Sequence, residues 1–143
     1  MTVVITLANV EDLAYYLASE FLQFDEPIPD FSTRYPHRLE SCLLTPFQGI
    51  SGREFYPTLS RKAAILFYLM VKNHPFQNGN KRIAVTTLLT FLYLNNKWLK
   101  VPTQVFLDLT VLVALSSPSL KDDIVNMIDK FIRDHLTAFP SAS

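Results

Sequence analysis

Two apolar segments of helical length lie close together near the middle of this 143-residue chain. Residues 63–71 read AAILFYLMV, and the uncharged run 83–96 reads IAVTTLLTFLYLNN. A helix that is apolar on every side has to be buried, so this pair predicts the core of a helical bundle. Glycine occurs three times, and strand-like alternation is almost absent. The sequence therefore predicts an all-α fold with one small β excursion.

Further helices are predicted on both sides of this core. Asn9 can cap a first helix on which Leu13, Leu17 and Phe21 share one face, and Ser60 can cap the first core helix. DEPIPDFSTRYP carries three prolines and should be irregular. FQGISGREFYP, with two glycines and flanking aromatic residues, predicts a hairpin or a flexible flap. The predicted helices cover residues 8–22, 37–44, 58–73, 81–96 and 104–115, and a last one starts near residue 119.

The ends of the last elements are also marked in the sequence. The pair Asn95–Asn96 can end the second core helix in left-handed geometry. KWLKVP is predicted to be extended, with Trp98 sealing that helix, and the terminal AFPSAS to be frayed.

Charge and cysteine content exclude several classes of protein. Lys+Arg and Asp+Glu both number 13, so the chain has no net charge and no global basic field with which to bind nucleic acid. The single cysteine, Cys42, excludes an intramolecular disulfide and a cysteine-rich zinc site, and is predicted to pack in the core. No targeting segment or membrane-spanning run is visible. These features predict a cytoplasmic protein without direct contact to nucleic acid or membrane.

The loop HPFQNGNKR, residues 74–82, joins the two core helices and concentrates polar groups there. Gly79 permits backbone conformations in which successive N–H groups form a concave anion nest. This nest leads directly into a helix N-terminus, which favours a phosphate. Lys81 and Arg82 lie in the first helical turn, where cations are unfavourable unless an anion is bound beside them.

His74 lies where the first core helix ends, and its imidazole can accept a proton from a hydroxyl at neutral pH. Phe76 is predicted to point into the core and anchor the loop. Taken singly, each feature has a simpler explanation: a histidine after a helix often caps it, Asn-Gly often forms a turn, and a Lys-Arg pair is usually solvated. Together, within nine residues, they indicate a base beside an oriented phosphate. His37 and His135 are interpreted as structural.

The loop resembles the signature of the Fic/Doc family, H-P-F-x-(D/E)-G-N-(G/K)-R. Residues 38–76, RLESCLLTPFQGISGREFYPTLSRKAAILFYLMVKNHPF, and residues 81–101, KRIAVTTLLTFLYLNNKWLKV, are similar to its death-on-curing (Doc) branch. The resemblance implies a single Fic/Doc domain over residues 1–143, an α-helical Fic fold with a small β-hairpin flap, and transfer of part of a nucleotide to a protein hydroxyl. Most members transfer AMP, whereas the Doc branch is a toxin that phosphorylates a translation elongation factor.

The resemblance also implies a role for each matching residue. His74 would be the general base, Phe76 the loop anchor, and Gly79 and Asn80 the residues that shape the nest. Lys81 and Arg82 would neutralise nucleotide phosphates. The stretch 47–56 would be the flap that pairs with the target backbone by strand addition, through Phe47, Gln48, Gly49, Ile50, Ser51 and Gly52.

Three positions depart from the usual family pattern. Asn78 replaces the acidic residue that normally holds Mg²⁺, and a neutral amide is a weaker ligand. Either metal affinity is reduced, or the metal rests mainly on substrate phosphates, or activity is lost. Val85 stands where AMP-transferring members carry a second arginine, and Lys81 replaces the more usual glycine. The last two departures are shared with the Doc branch and favour phosphate transfer from ATP or another nucleoside triphosphate.

The leading hypothesis is therefore a toxin-like transferase that phosphorylates a Ser or Thr of a protein such as a translation factor. The alternatives are AMP transfer and a catalytically degenerate Fic-fold binding module, which Asn78 supports. The self-inhibitory pattern (S/T)-x-x-x-E-(G/N) of some members finds no match, so a separate antitoxin is expected to restrain an active protein.

Overall fold

The computed structural model describes residues 1–21 and 27–139, with the side chain of residue 21 left out, and the described part is mainly α-helical. The all-α prediction with a small hairpin is confirmed. A π-helical turn (Val10–Ala14) joins the first two helices, and short 3-10 turns follow at Phe31–Thr33, Thr45–Phe47 and Pro118–Leu120. The helices are α1 (Leu7–Asn9), α2 (Tyr15–Phe21), α3 (Pro36–Leu44), α4 (Leu59–Lys72), α5 (Asn80–Leu94), α6 (Thr103–Leu115) and α7 (Lys121–His135). The strands are β1 (Gly49–Ile50), β2 (Arg53–Glu54), β3 (Lys97–Leu99) and β4 (Leu136–Ala138).

Helix α4 lies at the centre and packs against α5, α6 and α7. Every residue of the segment 63–71 is buried, as predicted. Helix α5 also buries three threonines, at positions 86, 87 and 90. Two of them donate their hydroxyls back along the helix, Thr86 to the Arg82 carbonyl at 3.2 Å and Thr90 to the Thr86 carbonyl at 2.7 Å. These bonds compensate the loss of water from hydroxyls in the core.

The first helical stretch differs from its prediction in its cap and in its buried face. Thr6, not Asn9, is the N-cap: its side chain accepts the Asn9 N–H, and the Asn9 side chain accepts the Thr6 N–H. The buried residues are Val10, Ala14 and Ala18, whereas Leu13 is exposed. The small alanines allow the π turn and α2 to approach α5 closely. Leu22 lies outside the described residues.

The N-cap of α4 is Thr58, whose Oγ1 accepts the Arg61 N–H at 3.2 Å. Ser60, the predicted cap, already lies in the first helical turn. Helix α5 ends as predicted, since Asn96 adopts a left-handed φ of 61°.

Two antiparallel strand pairs complete the described structure. β1 pairs with β2 (Gly49 opposite Glu54, Ile50 opposite Arg53), which confirms the predicted hairpin. β3 pairs with β4 (Lys97 opposite Ala138), and the Phe139 N–H donates to the Asn96 carbonyl at 3.0 Å. The prediction of a frayed end from Ala138 is therefore wrong for residues 138 and 139, because backbone pairing and the contact of the Trp98 and Phe139 rings fix them.

Within the described ranges, no single helix has both the length and the apolar character needed to cross a bilayer. Two consecutive helical segments, Thr103–Leu115 and Pro118–His135, together have the length and apolar composition of a membrane span, but the chain bends by 114° between them.

Candidate active site

The loop between α4 and α5 places His74 immediately beyond the end of α4. Asn73 is the C-cap of α4, and its N–H donates to the Leu69 carbonyl at 2.9 Å. His74 then takes a left-handed φ of 47°, and Pro75 cannot continue a helix. The side chain of His74 is exposed. Its imidazole is thus accessible to a substrate.

Helix α3 and the turn before it hold the beginning of this loop. The Tyr35 N–H donates to the Pro75 carbonyl at 2.8 Å, and the Arg38 guanidinium donates to the His74 carbonyl at 3.3 Å. Arg38 also lies over the Tyr35 ring, 4.4 Å from its centroid. These contacts stabilise the unfavourable left-handed backbone of His74, a conformation that a non-glycine residue adopts at a cost.

Phe76 is 1 % exposed and fastens the middle of the loop to the core. Its ring centroid lies 5.5 Å from that of Tyr15 and 6.0 Å from that of Phe31. Tyr15 and Phe31 meet edge to face at 5.2 Å, so the three rings form one cluster. Because Phe76 fills this cluster, the loop backbone cannot shift without opening the core.

Asn80 closes the loop on itself. Its side-chain oxygen accepts the Phe76 N–H at 3.0 Å, and its side-chain nitrogen donates to the Phe76 carbonyl at 2.9 Å. The amide is buried, and an amide can satisfy one donor and one acceptor of the same residue at once, which a carboxylate or a hydroxyl does less well. Asn80 therefore shapes the loop with its side chain.

Gly79 is the N-cap of α5 and has φ 70° and ψ 15°, the left-handed geometry that the sequence predicted. A Cβ at this position would lie 2.8 Å from Ile28 Cδ1 and 3.3 Å from the Pro27 carbonyl oxygen. The first α5 hydrogen bond to Gly79 runs from the Ile83 N–H to the Gly79 carbonyl at 3.0 Å. Helix α5 therefore begins directly after Gly79, and the first turn of a helix, whose N–H groups have no acceptor within the helix, is where helices bind phosphate.

The two cations of the loop differ in their surroundings. Arg82 is buried, and its guanidinium donates to the Ala18 carbonyl of α2 at 3.1 Å. Lys81 and Asn78 are half-buried at the start of α5 and just before it. His74, Gly79 and Lys81 all lie within residues 74–82, and the Arg82 side chain also joins α5 to α2. Its predicted contact with nucleotide phosphates stays a prediction.

The predicted flap projects from a half-buried base. Phe47 packs edge to face on the Phe91 ring of α5, with centroids 6.0 Å apart, so it anchors the flap instead of lining its exposed edge. Residues 48–55 are exposed, and Ile50 is 66 % exposed. Ser51 and Gly52 both take positive φ (51° and 78°), as a two-residue hairpin turn requires.

Two pKa values near the site are displaced by burial. Burial, followed by the charge of Asp30, raises the pKa of the Tyr15 phenol to about 12, and this hydroxyl donates to the Pro29 carbonyl. Burial also raises the pKa of the Cys42 thiol to about 12, although a hydrogen bond with Asn73 lowers it. Both groups are held neutral, and Cys42 packs in the core as predicted.

The described residues contain no group of three or more His, Cys, Asp or Glu side chains that could hold a metal ion. In the loop itself, Asn78 offers a neutral amide, and residues 74–82 include no carboxylate. A divalent cation prefers charged oxygen ligands, so this donor set is a poor fit for Mg²⁺.

Several residues that build the site were not predicted from the sequence. Tyr35 and Arg38 reach the loop from α3, and Pro27 and Ile28 cover Gly79. The sequence signal for Arg38 is only a cation in the first turn of a helix, which is unfavourable without a partner but does not identify the His74 carbonyl as that partner. Lys62 was not predicted either, although its sequence position carries a clearer signal. It directly precedes the apolar run 63–71, and it is fully buried.

Comparison with known proteins identifies one curated relative of this chain and its family. No solved structure matches it. The chain is 37 % identical over 57 residues to Toxin Doc of Mycolicibacterium smegmatis (strain ATCC 700084 / mc(2)155), which corresponds to 40 % of this chain and 44 % of that protein. The chain thus matches less than half the length of this relative. The model of the Fic/DOC family matches residues 5–92, which include α1 to α4, the flap and the loop that carries His74. Since this match covers more than half of the sequence, the chain belongs to the Fic/DOC family.

Proposed function

We propose that this protein is a toxin of the Fic/Doc type that transfers a phosphate from a nucleoside triphosphate to a Ser or Thr hydroxyl of a target protein. Family membership and the similarity to a protein called Toxin Doc support the class. The observation that carries the proposal is the exposed His74 imidazole on the same loop as the left-handed Gly79 that opens α5.

In this reaction the target hydroxyl oxygen bonds to the γ-phosphorus. The bond from that phosphorus to the bridging oxygen breaks, and a nucleoside diphosphate leaves. His74 accepts the hydroxyl proton. The amides at the start of α5 and the Lys81 ammonium stabilise the phosphate charge. No step is assigned to a metal ion, because Asn78 supplies a single neutral ligand.

Phosphate transfer is proposed over AMP transfer because of Val85. AMP-transferring relatives carry a second arginine at this position, whereas Val85 is buried in α5 and offers no charge to a phosphate. The target is proposed to be a translation factor, and a separate antitoxin protein is proposed to restrain the activity.

The test uses ATP labelled at either the γ- or the α-phosphate, incubated with the protein and a bacterial lysate. Phosphate transfer puts the γ-label on a protein, and AMP transfer puts the α-label there. His74→Ala should lower incorporation by about a hundred-fold to ten-thousand-fold, as loss of a general base does. His135→Gln, at the far end of α7, is the matched control and should leave incorporation unchanged.

Other outcomes would replace this proposal. Incorporation of the α-label alone would establish AMP transfer. ATP binding without incorporation of either label would support the degenerate binding module that Asn78 suggests. Equal incorporation by the His74→Ala variant would remove His74 from the reaction.

A further inference from the structure

Lys62, in the first turns of α4, is among the most buried side chains of the described structure, with 1 % of its surface exposed. Burying an ammonium group is unfavourable unless charged and polar partners surround it. The burial of Lys62 therefore depends on the groups that its ammonium contacts.

Among the described residues, the polar and aromatic partners of the Lys62 ammonium lie in the flap and its base, residues 47–56. The Lys62 ammonium donates to the Tyr56 carbonyl, pairs with the Glu54 carboxylate at 3.1 Å, and lies 5.4 Å from the centroid of the Phe47 ring. Glu54 belongs to β2, and Phe47 ends the 3-10 turn before β1 and forms the base of the flap. One buried cation thus joins both ends of the hairpin to α4.

The flap needs such support, because each of its strands has two residues and all of residues 48–55 are exposed. An isolated hairpin of this size is marginal in water. The contact of Phe47 with Phe91 fixes one end of the flap only. Lys62 binds Glu54 of the returning strand and the carbonyl of Tyr56, two residues further along.

We propose that Lys62 is a positioning residue that fixes the flap to α4 and so sets the orientation in which a target strand is presented to His74. This inference rests on the proposed function, in which the flap pairs with the target backbone. Helix α4 carries Lys62 near its start and leads into His74 beyond its end. A flap fixed to Lys62 is therefore fixed relative to the imidazole.

The first test is amide hydrogen exchange in the Lys62→Met variant, which keeps the side-chain length but removes the charge. Exchange of the Phe55 N–H, which donates to the Gln48 carbonyl, should become at least about tenfold faster. Lys72→Met is the matched control: Lys72 belongs to the same helix but donates to the Ala114 and Ser116 carbonyls, so flap exchange should not change. Unchanged flap exchange in folded Lys62→Met would overturn the proposal.

Glu54→Ala tests the same contact from the flap side, and covers the case in which Lys62→Met does not fold. Glu54 is half exposed, but its loss takes a carboxylate away from the buried Lys62 ammonium, so this variant should have a lower melting temperature and flap exchange should rise severalfold. If Lys62→Met does not fold and flap exchange is unchanged in Glu54→Ala, the proposal is likewise overturned.

The second test separates positioning from structural support. With γ-labelled ATP, Lys62→Met should need a severalfold higher lysate concentration for half-maximal incorporation, while the ATP concentration for half-maximal incorporation stays within about twofold. Loss of flap protection without this change in lysate dependence would overturn the positioning role. If the unmodified protein transfers no label at all, the proposed function fails, whereas exchange still measures the Lys62 contact.

Discussion

Asn80 and Phe76 are joined by two hydrogen bonds between one side chain and one backbone unit, at 3.0 and 2.9 Å. These two bonds close the segment 76–80 into a ring, and the Asn80 residue that closes it is buried. The last residues of the loop are thereby fixed in shape by the chain itself. Such preorganisation lowers the cost of binding an anion at the start of α5.

Asn80→Ala should lower the free energy of unfolding by about 1–3 kcal/mol, because it leaves a backbone donor and acceptor of Phe76 without their partners. Chemical denaturation measures this change. Asn126→Ala is the control: Asn126 is exposed and accepts a single 3.4 Å bond from Arg61, so its loss should change stability by less than about 0.5 kcal/mol. Equal costs for the two variants would contradict the role of Asn80.

Gly79→Ala and Gly52→Ala separate backbone strain from steric clash. Both glycines have positive φ (70° and 78°), so alanine is strained at either site by about 1 kcal/mol. At Gly79 the new Cβ also approaches Ile28 Cδ1 to 2.8 Å, whereas at Gly52 nothing lies within 4 Å. Thermal unfolding should therefore show a clearly larger loss for Gly79→Ala. A loss no larger than that of Gly52→Ala would mean that Ile28 moves aside easily.

Asn78→Asp should strengthen the Mg²⁺ dependence of ATP binding, because a carboxylate adds a charged oxygen ligand where the chain has a neutral amide. Calorimetric titration with ATP at increasing Mg²⁺ should show a half-saturating Mg²⁺ concentration about tenfold lower. Gln77→Glu adds the same charge one residue earlier on an exposed side chain and should have little effect. A similar gain from both variants would indicate general electrostatic attraction and not ligation. If the unmodified protein transfers label as fast as Asn78→Asp, the degenerate interpretation fails.

The stability of the protein should fall in alkaline solution, partly through Cys42. The native thiol has a pKa of about 12 against an ordinary 9.0, so the unfolded chain releases its proton first as pH rises. The free energy of unfolding therefore decreases above about pH 9, by about 2 kcal/mol at pH 10.5 from this group. Denaturation at pH 8 and 10.5 should show a smaller loss for Cys42→Ala than for the unmodified chain. Equal losses would show that the thiol is not held neutral.

The sequence predicts the core of this fold well and the first helix poorly, for a physical reason. A segment such as 63–71 has no polar face, so burial is its only stable environment. On the first helix, hydrophobicity favours Leu13 and Leu17, yet the close approach to α5 requires Ala14 and Ala18. Close packing between helices depends on the volumes of the side chains at the contact. A hydrophobic pattern does not indicate how closely the partner helix approaches, so it cannot predict which positions need small side chains.

The same distinction applies to the site. The positions of His74, Phe76 and Gly79 follow from local rules, since a proline ends α4 and a glycine begins α5. The support from Arg38 depends on an element distant along the chain, as does the pairing of β4 with β3. Contacts of this kind arise only when the helices assemble.

Residues near both described ends of the chain lie at the far end of α5 from the loop of residues 74–82. The Val3 N–H donates to Asn95 Oδ1 at 2.6 Å, and the Phe139 N–H donates to the Asn96 carbonyl at 3.0 Å. The 15 residues of α5 separate these contacts from Gly79 by roughly 20 Å. A tether or fluorophore attached near residue 3 or 139 would therefore lie roughly 20 Å from Gly79, away from the loop.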